Sequence, residues 1–180
     1  VSVWLAPSSA QANPAKPSQL EEYQAKALLV YNIAKFVLWP EVAFDTHRSD
    51  FVIDIVGGNP FGGAFYFIHD KTIQGRMVEV FNDAVLGDEH ACQVLYTDTM
   101  DPTSLARELK VLQKNHVLVI TSNPALFEVG AMVLLSVEDD RLTFRVNLNS
   151  AHAADLEISG NLLRHAEEVI LAENEGGFMR

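Results

Sequence analysis

Six histidines are spread along this chain: His47, His69, His90, His116, His152 and His165. Their spacing decides what chemistry they could do. None stands in an HExxH arrangement, which would put two imidazoles on one helix face. His152 and Asp155 are three residues apart, as are His165 and Glu168, so each pair could share a helix face. A pair supplies two ligands, whereas zinc usually needs more, and an ordinary polar helix surface accounts for both pairs. The single cysteine, Cys92 in HACQVLY, cannot form an intrachain disulfide. Its apolar neighbours predict a strand entering the core and a buried, inert thiol; an intermolecular disulfide or a reactive thiol is the alternative. No serine lies in GxSxG. Ser159 stands where an apolar stretch meets a helix, a place that calls for a capping hydroxyl. Asp98 and Asp101 follow a predicted strand, but Asp101-Pro102 also reads as a helix start. Acid/base catalysis needs two placed groups with divergent pKa values, and no such pair is evident. The expectation is a protein without catalytic residues, metal ligands or cofactor.

Two other groups of residues point toward binding. Gly57-Gly58-Asn59-Pro60-Phe61-Gly62-Gly63 lies between a predicted strand and helix, where phosphate-binding loops occur. It lacks GxGxxG and the lysine and hydroxyl of a P-loop, so a structural turn is favoured. A small anion held by Gly62 and Arg76 is the alternative. Arg76, just after Gly75, is expected first to pair with a carboxylate and pin its strand. The second group is Asn32 and Lys35 among Tyr31, Ile33, Phe36, Leu38, Trp39 and Phe44. Core packing is expected of most of these aromatics. Trp39 and Phe44, with Asn32 and Lys35, are nevertheless the expected partner-binding residues, because a large apolar ring with a polar handle suits an interface.

The elements that must position these residues follow from periodicity. Leu20, Tyr23, Ala27, Val30, Tyr31, Ala34 and Val37 predict a helix over 19–37, capped by Ser18 and ended by Trp39-Pro40. Strands are predicted at 51–56, 73–80 (broken at Gly75), 91–96 and 117–121. Helices are predicted at about 61–68, after Asn59-Pro60, and at 102–113. The runs 132–137 and 142–148 bracket Glu138-Asp139-Asp140 and predict a β-hairpin. Residues 149–172 are predicted to be mostly helical, interrupted near Ile158-Ser159-Gly160. Together these predict an α/β protein: a three-layer sandwich with a mixed sheet and a C-terminal β-hairpin followed by helices.

Composition bounds the rest. Residues 19–172 suit one domain, and 48% hydrophobic residues can fill its core. No apolar run approaches the roughly 18 to 20 residues of a membrane span. A net charge of −11 opposes binding to nucleic acid or to an anionic membrane face. Residues 1–12, VSVWLAPSSAQA, end in a small-x-small pattern and read as the remnant of a secretory leader that lacks its basic start. Export to the periplasm is therefore expected, and residues 173–180 read as a flexible tail.

Fragments over residues 21–172 then combine into a resemblance. They are Lys26-Ala27, Tyr31-Asn32, Lys35-Phe36-Val37, Trp39-Pro40, Phe44 and Asn59-Pro60-Phe61-Gly62. Lys71-Thr72-Ile73-Gln74-Gly75-Arg76 with Val78, and Cys92-x-Val-Leu-Tyr, continue the series. The later ones are Gly130-Ala131-Met132, Arg141-Leu142-Thr143-Phe144, Val146-Asn147-Leu148, Leu156-x-Ile158-Ser159 and Leu162-Leu163. In this order they resemble the YfiR family of periplasmic regulators. The resemblance implies an α/β protein without a catalytic centre. It implies restraint of an inner-membrane partner bearing a diguanylate cyclase domain, with release by an outer-membrane-associated lipoprotein. A homodimer is implied as well. Paired cysteines known in the family are not matched here, where Cys92 stands alone, so redox control by an internal disulfide does not carry over. The alternative function is a periplasmic small-ligand-binding component of a sensory or uptake system.

Overall fold

A computed structural model describes residues 19–44, 50–57, 61–68, 70–84 and 92–171. The expected leader remnant at 1–12, the Ser18 cap, the Asn59-Pro60 helix start and the tail at 173–180 lie outside these residues.

The chain opens with α1 (Gln19–Lys35). Glu21 and Glu22 in its first turn and Lys35 in its last complement the helix dipole. Lys26 pairs with Glu22 one turn away at 2.9 Å. Ala27, Val30, Tyr31, Ile33 and Ala34 are buried, while Leu20 is exposed despite fitting the apolar period. The helix stops two residues short of the predicted end, because Val37–Leu38 forms β1. A 3-10 turn at Glu41–Ala43 leads to β2 (Phe51–Val56). A second 3-10 turn, Ala64–Ile68, packs against α1. Next come β3 (Thr72–Ile73) and β4 (Arg76–Ala84). They are joined at Gln74 and Gly75, whose φ values of 50° and 76° suit a tight hairpin turn.

The succeeding elements are β5 (Val94–Thr97), α2 (Pro102–Lys114), β6 (Leu118–Thr121) and α3 (Pro124–Glu128). Asp101 caps α2 by accepting hydrogen bonds from the Thr103 and Ser104 amides. Asn123 does the same for α3 by accepting from the Ala125 amide, a short helix the sequence pattern did not reveal. β7 (Val133–Glu138) and β8 (Arg141–Asn147) pair antiparallel, turning at Asp139 and Asp140 with φ of 48° and 58°.

The C-terminal stretch departs from the expectation of mostly helix. It contains α4 (Leu148–Ala153), β9 (Glu157–Ile158), α5 (Gly160–Leu163) and β10 (Glu168–Ile170). Asp155 takes a left-handed backbone, φ 54°, and ends α4, after which the Leu156 amide donates back to the Ala151 carbonyl. The Ser159 hydroxyl caps α5 through the Asn161 amide. Val169 and Ile170, β-branched residues, then extend beside β8.

Eight strands form one mixed sheet in the order β10-β8-β7-β6-β5-β2-β4-β3; β1 and β9 form a separate antiparallel ribbon. The β4-β2-β5-β6-β7 stretch is parallel, and five consecutive residues of β2, Phe51 to Ile55, are buried. Phe51, Ile53 and Ile55 join the apolar cluster that contains α1, whereas Val52 joins the cluster with Leu105 and Leu112 of α2. Strand alternation therefore separates the two clusters onto opposite faces of the sheet.

Candidate functional site

The end of α1, the β1–β9 ribbon and the turn after Pro40 form one structural unit. Val37 pairs with Ile158 and Leu38 with Glu157. Val37 is buried and Ile158 packs against the same core, so that pair faces inward. Residues directly opposite in an antiparallel pair share a face, which places Leu38 and Glu157 together on the outside. Leu38 is 58% exposed and Glu157 is exposed. The Ser159 amide donates to the Phe36 carbonyl and extends the ribbon by one bond. Phe36 is 40% exposed, and Val42, on the adjoining turn, is 77% exposed. The ribbon is anchored elsewhere by the Gln74 amide side chain, which donates to the Val37 carbonyl at 3.0 Å.

The expected partner residues divide between core and surface. Asn32 and Lys35 are exposed on α1. The Lys35 ammonium lies 5.4 Å from the Tyr31 ring centroid, and Lys71 approaches the same ring at 5.9 Å. Phe44 is half-buried and packs against the Phe51 ring. Trp39 corrects the expectation of a surface anchor. It is 7% exposed, stands edge-on to Phe51 at 5.0 Å, and its indole N–H donates to the His116 carbonyl at 2.9 Å. Burying the ring here also satisfies its polar nitrogen, so Trp39 is a core residue.

His116 is a junction that sequence reasoning missed. Its backbone is left-handed, φ 59°. Its carbonyl receives Trp39, and its Nδ1 lies 2.8 Å from the Ala154 carbonyl. A carbonyl only accepts, so Nδ1 carries the hydrogen. Asp155 lies 3.9 Å from the same nitrogen. The residue thus ties the segment after β1 to the segment before β9. Nothing in its sequence setting, KNHVLV, marks that role.

Arg76 and Gly62 are the two residues of the expected anion site. The Arg76 guanidinium lies 4.0 Å from the Phe44 ring centroid and 4.0 Å from a Glu41 carboxylate oxygen. It therefore pins the start of β4 against the turn after β1. Gly62 is exposed with φ 52°, in the turn that precedes the 3-10 segment at 64–68. Where β2 and β5 end, Thr99 donates to the Gly57 carbonyl at 2.8 Å, and a Cβ at Gly57 would fall 1.7 Å from that hydroxyl oxygen.

A polar cluster sits at the carboxyl ends of β5 and β6. Asp98 accepts from the Tyr96 hydroxyl at 2.6 Å and the Ser122 amide at 2.5 Å. Burial first, and then the negative charge of Asp98, push the Tyr96 hydroxyl well above the usual tyrosine range. Tyr96 consequently serves as a neutral donor, holding two strand ends together. Asp101 is occupied with capping α2, so the two aspartates flagged in the sequence do separate structural work. Burial likewise raises the Cys92 thiol, with the charge of Asp54 a further cause, so the thiolate is disfavoured. Among the described residues, no group of three or more His, Cys, Asp or Glu side chains could hold a metal.

A family model described as DUF4154: YfiR/HmsC-like matches residues 23–167. The chain belongs to this YfiR/HmsC-like family. The match runs from the first turns of α1 through α5, so the β1–β9 ribbon and the parallel β4-β2-β5-β6-β7 stretch lie within it. No curated protein matches the chain.

Proposed function

We propose that this YfiR/HmsC-like chain is a non-enzymatic periplasmic regulator that binds a membrane-bound signalling protein and favours its inactive state. The partner proposed is a diguanylate cyclase, engaged through its periplasmic part; an outer-membrane-associated lipoprotein would compete for the regulator. Family membership over 23–167 carries this reading. The exposed apolar residues beside α1 supply a surface suited to protein contact. The described polar residues with unusual settings, Tyr96, Asp98 and Cys92, are used in holding the fold.

Restraint requires unequal affinity for two conformations of the partner, since equal affinity shifts no equilibrium. The regulator would bind the inactive cyclase more tightly, and removing it would release activity. Deleting the gene should therefore raise cellular cyclic di-GMP and surface attachment. Re-expression of the full chain should reverse both. An unchanged cyclic di-GMP level in the deletion strain under biofilm-forming conditions would overturn cyclase restraint.

A further inference from the structure

The outward face of α2 carries cations and no acid. Thr103, Ala106, Arg107, Lys110, Val111 and Lys114 are all exposed, and their three- and four-residue spacing sets them on one side of a single helix. Glu108, the one acid of α2, is half-buried and shares the spacing of the core residues Leu105 and Leu112. Arg107, Lys110 and Lys114 therefore form a row about 10 Å long on the helix axis. Among the described residues, none of these three cations has an ion-pair partner. Elsewhere the chain engages its cations. Lys26 pairs with Glu22 and Arg145 with Glu168, and Lys35, Lys71 and Arg76 lie against aromatic rings. We infer that the α2 face docks a second copy of this chain, at the acidic end of that copy's β7–β8 hairpin.

Charge complementarity selects the occupant. Glu138, Asp139 and Asp140 are exposed at the end of the hairpin, and the exposed Glu167 is hydrogen-bonded to Glu138. Repulsion from Glu167 and Asp139 also acts on Glu138, so these carboxylates are crowded. Arg141, directly across from Glu138, offsets one of the four, and Arg145 is committed to Glu168. The acids left over find no partner in the α2 cations of their own chain. Between two copies, the row on α2 meets this excess and relieves the crowding. An anionic membrane suits α2 less well. Three cations fall short of the roughly four to eight that lipid recognition uses, and a net charge of −11 is repelled by the same surface. At physiological salt, charges more than about 8 Å apart are largely screened, so the facing patches outweigh the repulsion of the two whole chains. The contact joins two different surfaces and is heterologous. It stands apart from the restraint of a cyclase.

The test is sedimentation of the full chain at physiological salt over a wide concentration range. The parent should self-associate as concentration rises. Lys110→Glu with Lys114→Glu should weaken this by roughly tenfold or more, because the row on α2 is reversed. Glu138→Lys with Glu167→Lys should weaken it by roughly fivefold or more. That second pair takes the net charge from −11 to −7, so bulk repulsion falls and would by itself strengthen association. An equal mixture of the two variants should associate again, since the reversed α2 of one then faces the reversed hairpin of the other. Thermal melts establish that each variant is folded. If a reversal unfolds the chain, glutamine at the same two positions replaces it. A parent that keeps the mass of one chain at every concentration would overturn the inference. So would parent-like association of either folded variant, or a mixture that stays apart. Stronger capture of the parent by phosphatidylglycerol vesicles than by a second copy, lost in the α2 variant, would assign the face to lipid instead. The cyclic di-GMP level of the deletion strain is independent of all these outcomes.

Discussion

At the residue scale, Trp39 shows how one side chain can carry two incompatible readings until its surroundings are known. An indole beside exposed polar residues suits an interface, yet this ring is enclosed by Phe51 and bonded to the His116 carbonyl. Trp39→Ala should therefore cost about 3–5 kcal/mol of folding stability, as expected for a large-to-small core change. Trp39→Phe keeps most of the apolar body and removes the N–H. Its cost should be about 1–3 kcal/mol, through packing and the lost hydrogen bond. Urea unfolding of both variants measures the two effects. A Trp39→Ala protein as stable as the parent would contradict the core assignment. Arg76 follows the same logic. The expected carboxylate partner is present in Glu41, and Phe44 supplies the ring on which the guanidinium rests.

At the scale of elements, caps and left-handed residues set where helices begin and end. Asp101 holds the first turn of α2, and hydrogen bonds led by the Ser104 hydroxyl keep its carboxyl below the usual aspartate range. Because the folded-state pKa is lowered, the stabilisation is fully present above the unfolded value of about 3.9. It is lost as pH falls through the folded value. Asp101→Asn keeps a capping acceptor but removes this titration. The melting temperature of the parent should therefore fall more steeply than that of the variant between pH 4 and the lower folded pKa. Parallel melting curves across that acid range would disprove the linkage. Glu138 has the opposite sign. A hydrogen bond with Glu167, and then repulsion between the two carboxylates, raise its pKa. Its favourable contribution is present in acid and disappears as pH rises through the folded value. The C-terminal segment shows the limit of local pattern: the sequence predicts mostly helix over 149–172, interrupted near Ile158-Ser159-Gly160, but α4 ends at the left-handed Asp155 and Glu157–Ile158 pairs with β1.

At the scale of the whole molecule, two apolar clusters on the faces of one mixed sheet supply the main cohesive structure. Among the described residues, no three His, Cys, Asp or Glu side chains come together where they could hold a metal ion. The chain should accordingly keep one cooperative melting transition, at an unchanged temperature, after exhaustive treatment with EDTA. A large fall in melting temperature, reversed by one added divalent ion per chain, would establish a structural metal. The parallel centre of the sheet is buried on both faces, whereas the β1–β9 ribbon has one inward and one outward face. This asymmetry leaves Leu38 exposed to water while Val37 and Ile158 attach the ribbon to the core.

Periodic apolar residues, turn chemistry and the order of short motifs determined the α/β class, most element positions and the family resemblance. Those are properties of near neighbours in the chain: α1 burying every third or fourth residue, Asp101-Pro102 starting α2, and Gly75 breaking the run at 73–80. Tertiary structure alone decided that Trp39 lies inside, that His116 receives its indole 77 residues away, and that Leu38 stands opposite Glu157. It likewise brought Arg76 to Phe44 and Glu41 and divided the C-terminal stretch between short helices and strands. The reason is that local pattern specifies the preference of a backbone segment, whereas exposure and partnership depend on which distant segment covers it. A tryptophan or an exposed leucine can satisfy the same local spacing; only the packed chain determines which one water reaches.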